Sequence, residues 1–191
     1  MTNEVDTNTA VRKNIFSTKD MTLIAMFAVL MAVCSWISIP TQVPFTLQTF
    51  AVFCALGVLG GKRGFFAVLV YVLLGAVGVP VFAGFTGGIG VLLGTTGGYI
   101  LGFILSAGFY WLTEKLLGDS LVVRIISMVI GLALCYAFGT AWFMEVYSKS
   151  NDKIDLMTAL KWCVIPFLLW DAGKIFLSVV ISEALKKRVR I

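Results

Sequence analysis

A run of about 28 mostly apolar residues, 158–185, constrains this chain more than any other feature, because two opposite charges stand in it. The run is long enough to cross a bilayer as a tilted helix. Asp171 and Lys174 lie near its middle, and residues three apart on a helix share a face. Ionisable side chains at membrane depth face a partner, a cavity or a ligand. We therefore expect a ligand-facing polar pair; an internal ion pair that only locks helices together is the alternative.

The composition fits lipid better than water. Of 191 residues, 59% are hydrophobic and only 13% are charged, and the mean hydropathy is +0.97. A soluble domain of this size could not bury so much apolar surface in one core, so we predict an integral membrane protein. The net charge of +5 does not indicate nucleic acid, because the charges lie at the ends of apolar runs.

Six apolar runs follow one another along the chain, and they predict an all-α membrane protein with six transmembrane helices in a compact bundle. The expected membrane domain covers 21–185, between a polar N-terminal segment, 1–20, and a basic tail, 186–191. The second run is short for a full span. The six runs are 21–39, 46–59, 64–79, 96–113, 121–144 and 158–185.

The distribution of basic residues predicts the topology. Six spans put both termini on one side, and that side collects eleven Lys and Arg residues against three in the polar loop 145–161. By the positive-inside rule both termini are cytoplasmic, and the uncharged turns 40–45 and 80–95 are external. At about 1.5 Å per residue, Asp171 and Lys174 then lie roughly 15 to 20 Å below the outer end of the sixth helix.

The segment 80–98 is the least helix-like part of the apolar sequence, with six glycines from Gly84 to Gly97. Irregular backbone at membrane depth occurs where protein or a water-filled cavity satisfies its amides. We expect this segment to cap an outward-facing ligand pocket whose floor carries Asp171 and Lys174. A long, apolar external loop is the alternative.

The first span carries a stripe of small residues at helical spacing: Ala25, Ala28, Ala32 and Ser35. Such stripes allow helices to approach closely in lipid. Two interpretations stay open, which are packing within the chain and a docking face for another membrane subunit.

The residues do not assemble a catalytic or metal site. The chain has no histidine, and its four cysteines lie in apolar runs without CxxC spacing, so we expect no metal ligands and no Ser-His nucleophile. The turn from Gly60 to Gly64 lacks the spacing of a phosphate loop, so any ATP would be hydrolysed by another chain. A pocket for one small ligand remains, in which Asp171 accepts hydrogen bonds, Lys174 donates them, and Trp170, Phe85 and Tyr99 flank a ring.

Three motifs resemble a known family. TLQTFAV (46–52), GVPVFAGFTGGIGVLLGTTGGYILGF (78–103) and PFLLWDAGK (166–174) closely resemble BioY, the biotin-specific substrate-binding (S) component of energy-coupling-factor (ECF) vitamin transporters. The resemblance covers 21–185. It implies six helices in the bacterial plasma membrane, an external biotin pocket, and a stripe, matched by Ala28 and Ala32, that docks on a transmembrane coupling (T) subunit. Two cytoplasmic ATPase subunits would use the ATP, and the chain itself would need no cofactor.

The same resemblance and the chemistry of biotin suggest the site residues. We expect the ureido ring against Asp171 and Lys174. Lesser contacts are expected from Gln48, Thr86, Tyr99, Phe85 and Trp170 and from the backbone of Gly87 and Gly88. A polar group that only satisfies a helix end is the alternative for Gln48.

The chain departs from the family pattern at two positions, with Trp170 where the family usually has Gly and Thr95 where it often has Pro. Trp170 either reshapes the pocket floor or points into lipid. An S component for a different vitamin, a stand-alone facilitator of a small solute and a structural membrane protein are the alternative functions.

Overall fold

The structure is a computed structural model that describes residues 16–41, 43–150 and 153–188. Most of the predicted polar segment 1–20 and half of the tail 186–191 lie outside these residues. The described part is mainly helical, with one short hairpin and one 3-10 turn at 83–85. Its elements are α1 (Thr18–Trp36), β1 (Ser38–Ile39), β2 (Phe45–Thr46), α2 (Gln48–Leu59), α3 (Gly61–Ala76), α4 (Ile89–Leu93), α5 (Gly97–Leu117), α6 (Leu121–Ser150), α7 (Leu156–Cys163) and α8 (Ile165–Arg188).

Within the described residues, four helices are long and apolar enough to cross a membrane: α1, α5, α6 and α8. The apolar helix α2 has 12 residues and α3 has 16. At about 1.5 Å per residue these two helices are roughly 18 and 24 Å long, less than the ~30 Å of a hydrocarbon core. Length and composition therefore support four spans directly, whereas the sequence predicted six.

The short helix α2 is the centre of the bundle. Ten of its 12 residues are buried, and it packs against α1, α3 and α8. A helix that is apolar all round belongs in an interior. The remaining helices close around it through α1 on α3, α3 on α5 and α5 on α6.

The N-terminus of α1 lies before the predicted start of the first span. Ser17 and Asp20 form a capping box, in which the Ser17 hydroxyl accepts from the Asp20 N–H and the Asp20 carboxylate accepts from the Ser17 N–H. This arrangement satisfies two N–H groups that a helix otherwise leaves open. The helix consequently begins at Thr18, within the segment predicted to be polar and separate.

The small-residue stripe on α1 is mostly internal. Ala28 and Ala32 are buried, and so is Ser35, whose hydroxyl lies 2.5 Å from the carbonyl oxygen of Val81. Ala25 is exposed. Packing within the chain therefore occupies Ala28 and Ala32, and Ala25 is the member of the stripe that a partner subunit can reach.

The prediction of one continuous helix over 158–185 is wrong, because the helix breaks at Val164. Val164 ends α7 with φ −127° and ψ −57°, and α8 starts at Ile165. Pro166 is the second residue of α8, where its missing N–H has no partner within the helix anyway. The break puts Asp171 six residues, or about 9 Å, from the start of its helix, closer to that end than the predicted 15 to 20 Å.

The segment 145–161 is also more helical than the predicted loop. α6 continues to Ser150, and Asp155 then caps the N-terminus of α7 by accepting from the N–H groups of Met157 and Thr158. Asp is a strong N-cap residue because its carboxylate satisfies these open donors. The side of α7 that carries Ala159 and Cys163 is buried, and this helix packs against α6 and α8.

Candidate ligand-binding cavity

A cavity of about 340 Å³ lies within the bundle, beside residues 43–46 and 82–86. Its walls come from β2 and the start of α2, the segment 82–86, and the facing parts of α5, α6 and α8. Eleven of the 20 lining residues are apolar or cysteine and nine are polar, and pockets for small molecules likewise combine apolar surface with polar groups. The polar members include Thr46, Gln48, Thr86, Tyr136, Asp171 and Lys174.

The charged pair predicted from the sequence lies on the cavity wall. Lys174 Nζ is 2.7 Å from Asp171 Oδ1 and 2.7 Å from the carbonyl oxygen of Thr46. It also lies 4.3 Å from the centre of the Phe45 ring, a cation-π contact. Both charged residues are buried, at 2% and 7% exposure. The pair is thus bonded internally and also faces the cavity. Both interpretations from the sequence, a ligand-facing polar pair and an internal ion pair, therefore describe part of the arrangement.

Tyr136 of α6 completes the surroundings of the carboxylate. Its hydroxyl donates to Asp171 Oδ2, and its side chain lines the cavity. Each oxygen of Asp171 therefore has one protein donor and retains a lone pair. The sequence reasoning did not single out Tyr136. A tyrosine in an apolar span was the available signal, since a buried phenol needs a hydrogen-bond partner.

Gln48 lies on the wall at the start of α2 and is 5% exposed. Its Nε2 donates to the hydroxyl of Tyr71 at 2.6 Å, and the Tyr71 hydroxyl donates to the carbonyl oxygen of Val81 at 3.0 Å. Its backbone N–H donates to Thr46 Oγ1 at 3.2 Å. Gln48 is therefore bonded to Thr46 on the cavity wall and to Tyr71 behind it, rather than only closing a helix end.

Thr86 and Tyr99 also line the cavity. The hydroxyl of Thr86 donates to the carbonyl oxygen of Ala83 at 2.9 Å, which stabilises the turn that brings Thr86 to the wall. The hydroxyl of Tyr99 lies 3.0 Å from that of Thr140 and forms a hydrogen bond with it. Because the hydroxyl is already bonded to Thr140, Tyr99 contributes its ring to the cavity wall.

Phe85 and Trp170 do not form the cavity wall. Phe85 has φ 58° and is 63% exposed, and its ring stacks on Trp36 at 4.9 Å. Trp170 is 64% exposed, and its ring lies 5.9 Å from the Phe45 ring at an interplanar angle of 72°. Of the two interpretations of Trp170, the outward one agrees with this position. The aromatic lining comes instead from Phe82, Tyr99, Phe103, Tyr136 and Phe167.

The glycines Gly87 and Gly88 shape the segment behind the wall. A Cβ at Gly87 would lie 2.3 Å from the carbonyl oxygen of Val79, and Gly88 has φ +97°, a conformation that favours glycine. The Gly88 N–H donates to the carbonyl oxygen of Gly75 at 2.6 Å. These contacts fold the segment back onto the end of α3, so that Phe82 and Thr86 reach the cavity.

The described residues contain no group of three or more His, Cys, Asp or Glu side chains that could hold a metal ion. Cys135 and Cys163 line the cavity as free thiols. The site's chemistry consists of hydrogen bonding and apolar contact, with one carboxylate acceptor and one ammonium donor side by side.

Comparisons with known proteins agree with these features. The family model described as "BioY family" matches residues 6–191. "Biotin transporter BioY" of Thermotoga maritima is 44% identical over 164 residues, covering 85% of this chain and 92% of the relative. "Biotin transporter BioY2" of Lactococcus lactis subsp. cremoris is 38% identical over 167 residues, covering 86% and 88%.

A solved structure has the same fold. It is described as "Crystal structure at 2.1 A of the S-component for biotin from an ECF-type ABC transporter", and it matches with a TM-score of 0.78 and 26% identity over 90% of this chain and 92% of its own. With four apolar helices of spanning length, the chain is a multi-pass protein of the cell membrane. It belongs to the BioY family.

Proposed function

We propose that this chain is the biotin-binding S component of an ECF-type vitamin transporter. Its relatives are named as biotin transporters, and the matching solved structure is described as an S component for biotin. The observation that carries the proposal is the Asp171 and Lys174 pair, which is buried and lies on the wall of the cavity. The chain is a transport component and not an enzyme.

The cavity has the chemistry that biotin needs. Biotin offers two ureido N–H groups and a ureido carbonyl at one end, and a carboxylate on an apolar stem at the other. Asp171 accepts from a ureido N–H, and Lys174 donates to the carbonyl. These two groups lie 2.7 Å apart, close enough to meet a neighbouring N–H and C=O together. The rings of Phe82, Phe103 and Phe167 provide the apolar surface for the rest of the molecule.

Other residues that line the cavity make weaker contacts with the ligand. Thr86, Gln48 and Tyr99 reach the ligand through their side chains. The glycines Gly87 and Gly88 act through the backbone position of Phe82 and Thr86. The exposed Phe85 and Trp170 sit outside the binding surface, Phe85 on Trp36 and Trp170 against Phe45.

We also propose that α2 and α3 complete six membrane spans, with both termini cytoplasmic and the cavity open to the outside. The bias of basic residues toward the side of the termini supports this orientation. The orientation is also supported by the lining of the cavity, which includes residues of both uncharged segments, 40–45 and 80–95. Burial of α2 among other helices makes a full hydrophobic length unnecessary for it.

The energy for uptake comes from partner subunits in this proposal. A T subunit docks on α1, at Ala25 and the exposed side chains Val29 and Val33 beside it. Two cytoplasmic ATPases hydrolyse ATP and reorient the loaded component so that the cavity faces inward. Ala28 and Ala32 support this surface from beneath, through their packing inside the bundle.

Transport into proteoliposomes tests the proposal. The chain is reconstituted with labelled biotin outside, alone or with T and ATPase subunits and ATP inside. Uptake that requires the added subunits and ATP supports the S-component function. Uptake by the chain alone supports a facilitator, and absence of biotin binding by the purified chain contradicts the assignment of the substrate.

A further inference from the structure

We propose that the cavity forms hydrogen bonds with all three polar groups of a cyclic urea, and that Gln48 binds the third group, beside Asp171 and Lys174. The inference rests on the proposed function and deepens it. It assigns to Gln48 the second ureido N–H, and to Tyr71 the role of a positioning residue that holds Gln48. The ligand class is a cyclic urea with both nitrogens unsubstituted.

The three groups follow one another along one wall because Thr46 links them. The carbonyl oxygen of Thr46 accepts from Lys174 Nζ at 2.7 Å, and the hydroxyl of Thr46 accepts from the Gln48 N–H at 3.2 Å. On its other side Lys174 meets Asp171 at 2.7 Å. Lys174 therefore stands between Asp171 and the start of α2.

Tyr71 determines which end of the Gln48 amide is available. Tyr71 has one hydroxyl proton, which it gives to the carbonyl oxygen of Val81 at 3.0 Å. Its oxygen then accepts from Gln48 Nε2 at 2.6 Å. Because Gln48 donates through Nε2 to Tyr71, its Oε1 remains as an acceptor for a ligand.

The resulting order of groups is acceptor, donor, acceptor: the Asp171 carboxylate, the Lys174 ammonium and the Gln48 carbonyl. A cyclic urea presents the complementary order, N–H, C=O and N–H. A buried acceptor left without a donor is unfavourable, so a site of this kind discriminates against a ligand that lacks one N–H. A substituent on either urea nitrogen removes one of the three bonds and places carbon against an acceptor.

Tyr71 itself is fully buried and is not part of the cavity wall. Its ring packs edge-on against Phe82, with the centroids 5.7 Å apart. It therefore joins Gln48 on α2 to the Val81 and Phe82 wall. Its effect on a ligand passes through these neighbours, which makes it a positioning residue.

The experiment measures the affinities of the purified full chain for biotin and for two analogues, each methylated on a different ureido nitrogen. The wild type is expected to prefer biotin over both analogues. Gln48→Ala should weaken biotin binding by roughly threefold to tenfold, the loss of one neutral hydrogen bond. It should also reduce the discrimination against one analogue only, because the carbonyl is gone and space for a methyl group appears.

Tyr71→Phe supplies the second variant and Tyr110→Phe the matched control. Tyr110 is 1% exposed, does not line the cavity, and has a hydroxyl with no hydrogen-bond partner among the described residues. Tyr71→Phe should weaken biotin binding in the wild type, but have little further effect in the Gln48→Ala background. Tyr110→Phe should leave all affinities unchanged.

The outcomes separate the two proposals. If the wild type does not bind biotin, the proposed function and this inference both fail. If it binds biotin, but Gln48→Ala leaves the preference over both analogues intact, the inference alone is overturned. Equal losses from Tyr71→Phe with and without Gln48 would overturn the positioning role of Tyr71.

Discussion

Lys174 Nζ and Asp171 Oδ1 lie 2.7 Å apart on the wall of the cavity, one helical turn from each other on α8. The pair does not satisfy itself completely. The Lys174 ammonium has three donors, two of which meet Asp171 and the carbonyl of Thr46. Each carboxylate oxygen has one protein donor and room for a second. A ligand can therefore bind to the pair without breaking it.

Tyr136→Phe tests the support that α6 gives to this pair. The substitution removes the hydroxyl that donates to Asp171 Oδ2 and keeps the ring on the cavity wall. The hydroxyl positions the Asp171 carboxylate and does not itself bond the ligand, so we expect biotin affinity to fall by roughly threefold to tenfold, less than for loss of Asp171 itself. Calorimetric titration measures the change. A loss no larger than that of Tyr110→Phe would show that Asp171 does not depend on Tyr136.

Gly75→Ala tests whether Phe82 shapes the cavity. A Cβ at Gly75 would lie 2.0 Å from Phe82 Cζ, so the ring would have to leave its place. Phe82 is 1% exposed and lines the cavity, and its displacement should weaken biotin binding by at least tenfold. The matched control is Gly173→Ala on α8, where an added Cβ meets nothing within 4 Å. Equal affinities of the two variants would contradict this role of Phe82.

Gly57→Ala tests the contact between the central helix and α8. An added Cβ would lie 2.2 Å from Ser182 Oγ, and such overpacking costs about 1 to 3 kcal/mol of stability. We expect a lower unfolding temperature of the purified protein. Ser182→Ala in the same background removes the closest atom and should recover part of the loss. If stability does not recover, the contact that prevents a larger side chain at residue 57 is not with Ser182.

Asp155 gives a pH-dependent prediction outside the membrane spans. Bonds from the hydroxyl and the N–H of Thr158, and from the Met157 N–H, hold the pKa of the Asp155 carboxyl below its usual range. Because the folded-state pKa is lowered, the carboxylate stabilises α7 above the unfolded pKa. This stabilisation is lost as the pH falls through the lowered value.

Hydrogen exchange of the α7 amides, corrected for intrinsic exchange rates, measures this loss. Protection of Met157 and Thr158 should decrease at low pH in the wild type. Asp155→Asn keeps a capping oxygen that does not titrate, so its protection should not depend on pH in this range. The same pH dependence in both proteins would show that another group is responsible.

The sequence predicted the parts of this fold that follow from hydrophobicity and charge. Long apolar runs indicated the helices, and the cost of burying Asp171 and Lys174 indicated that they face a site. The break at Val164 was missed because the apolar run was interpreted as one helix, although Pro166 within it was an available signal of a helix start. The role of Tyr136 was missed because it depends on how α6 and α8 are placed in space.

The local sequence also did not determine which aromatic side chains are exposed and which line the cavity. Trp170 and Phe85 adjoin residues of the cavity in the chain, yet their side chains project away from it. Phe82 and Phe167 form the wall instead, because the segment 82–86 folds back and α8 turns its other face inward. Which aromatic residue of a motif reaches a ligand depends on these backbone directions.

The most direct test of the account is a calorimetric titration of biotin into the purified chain, alongside Asp171→Asn and Lys174→Ala. Each variant removes one charged partner, a loss of about 1.5 to 3 kcal/mol, so each should bind biotin at least tenfold more weakly than the wild type. Thermal unfolding without ligand establishes that each variant is folded. Wild-type affinity for biotin in both folded variants would place the binding site elsewhere and contradict the account.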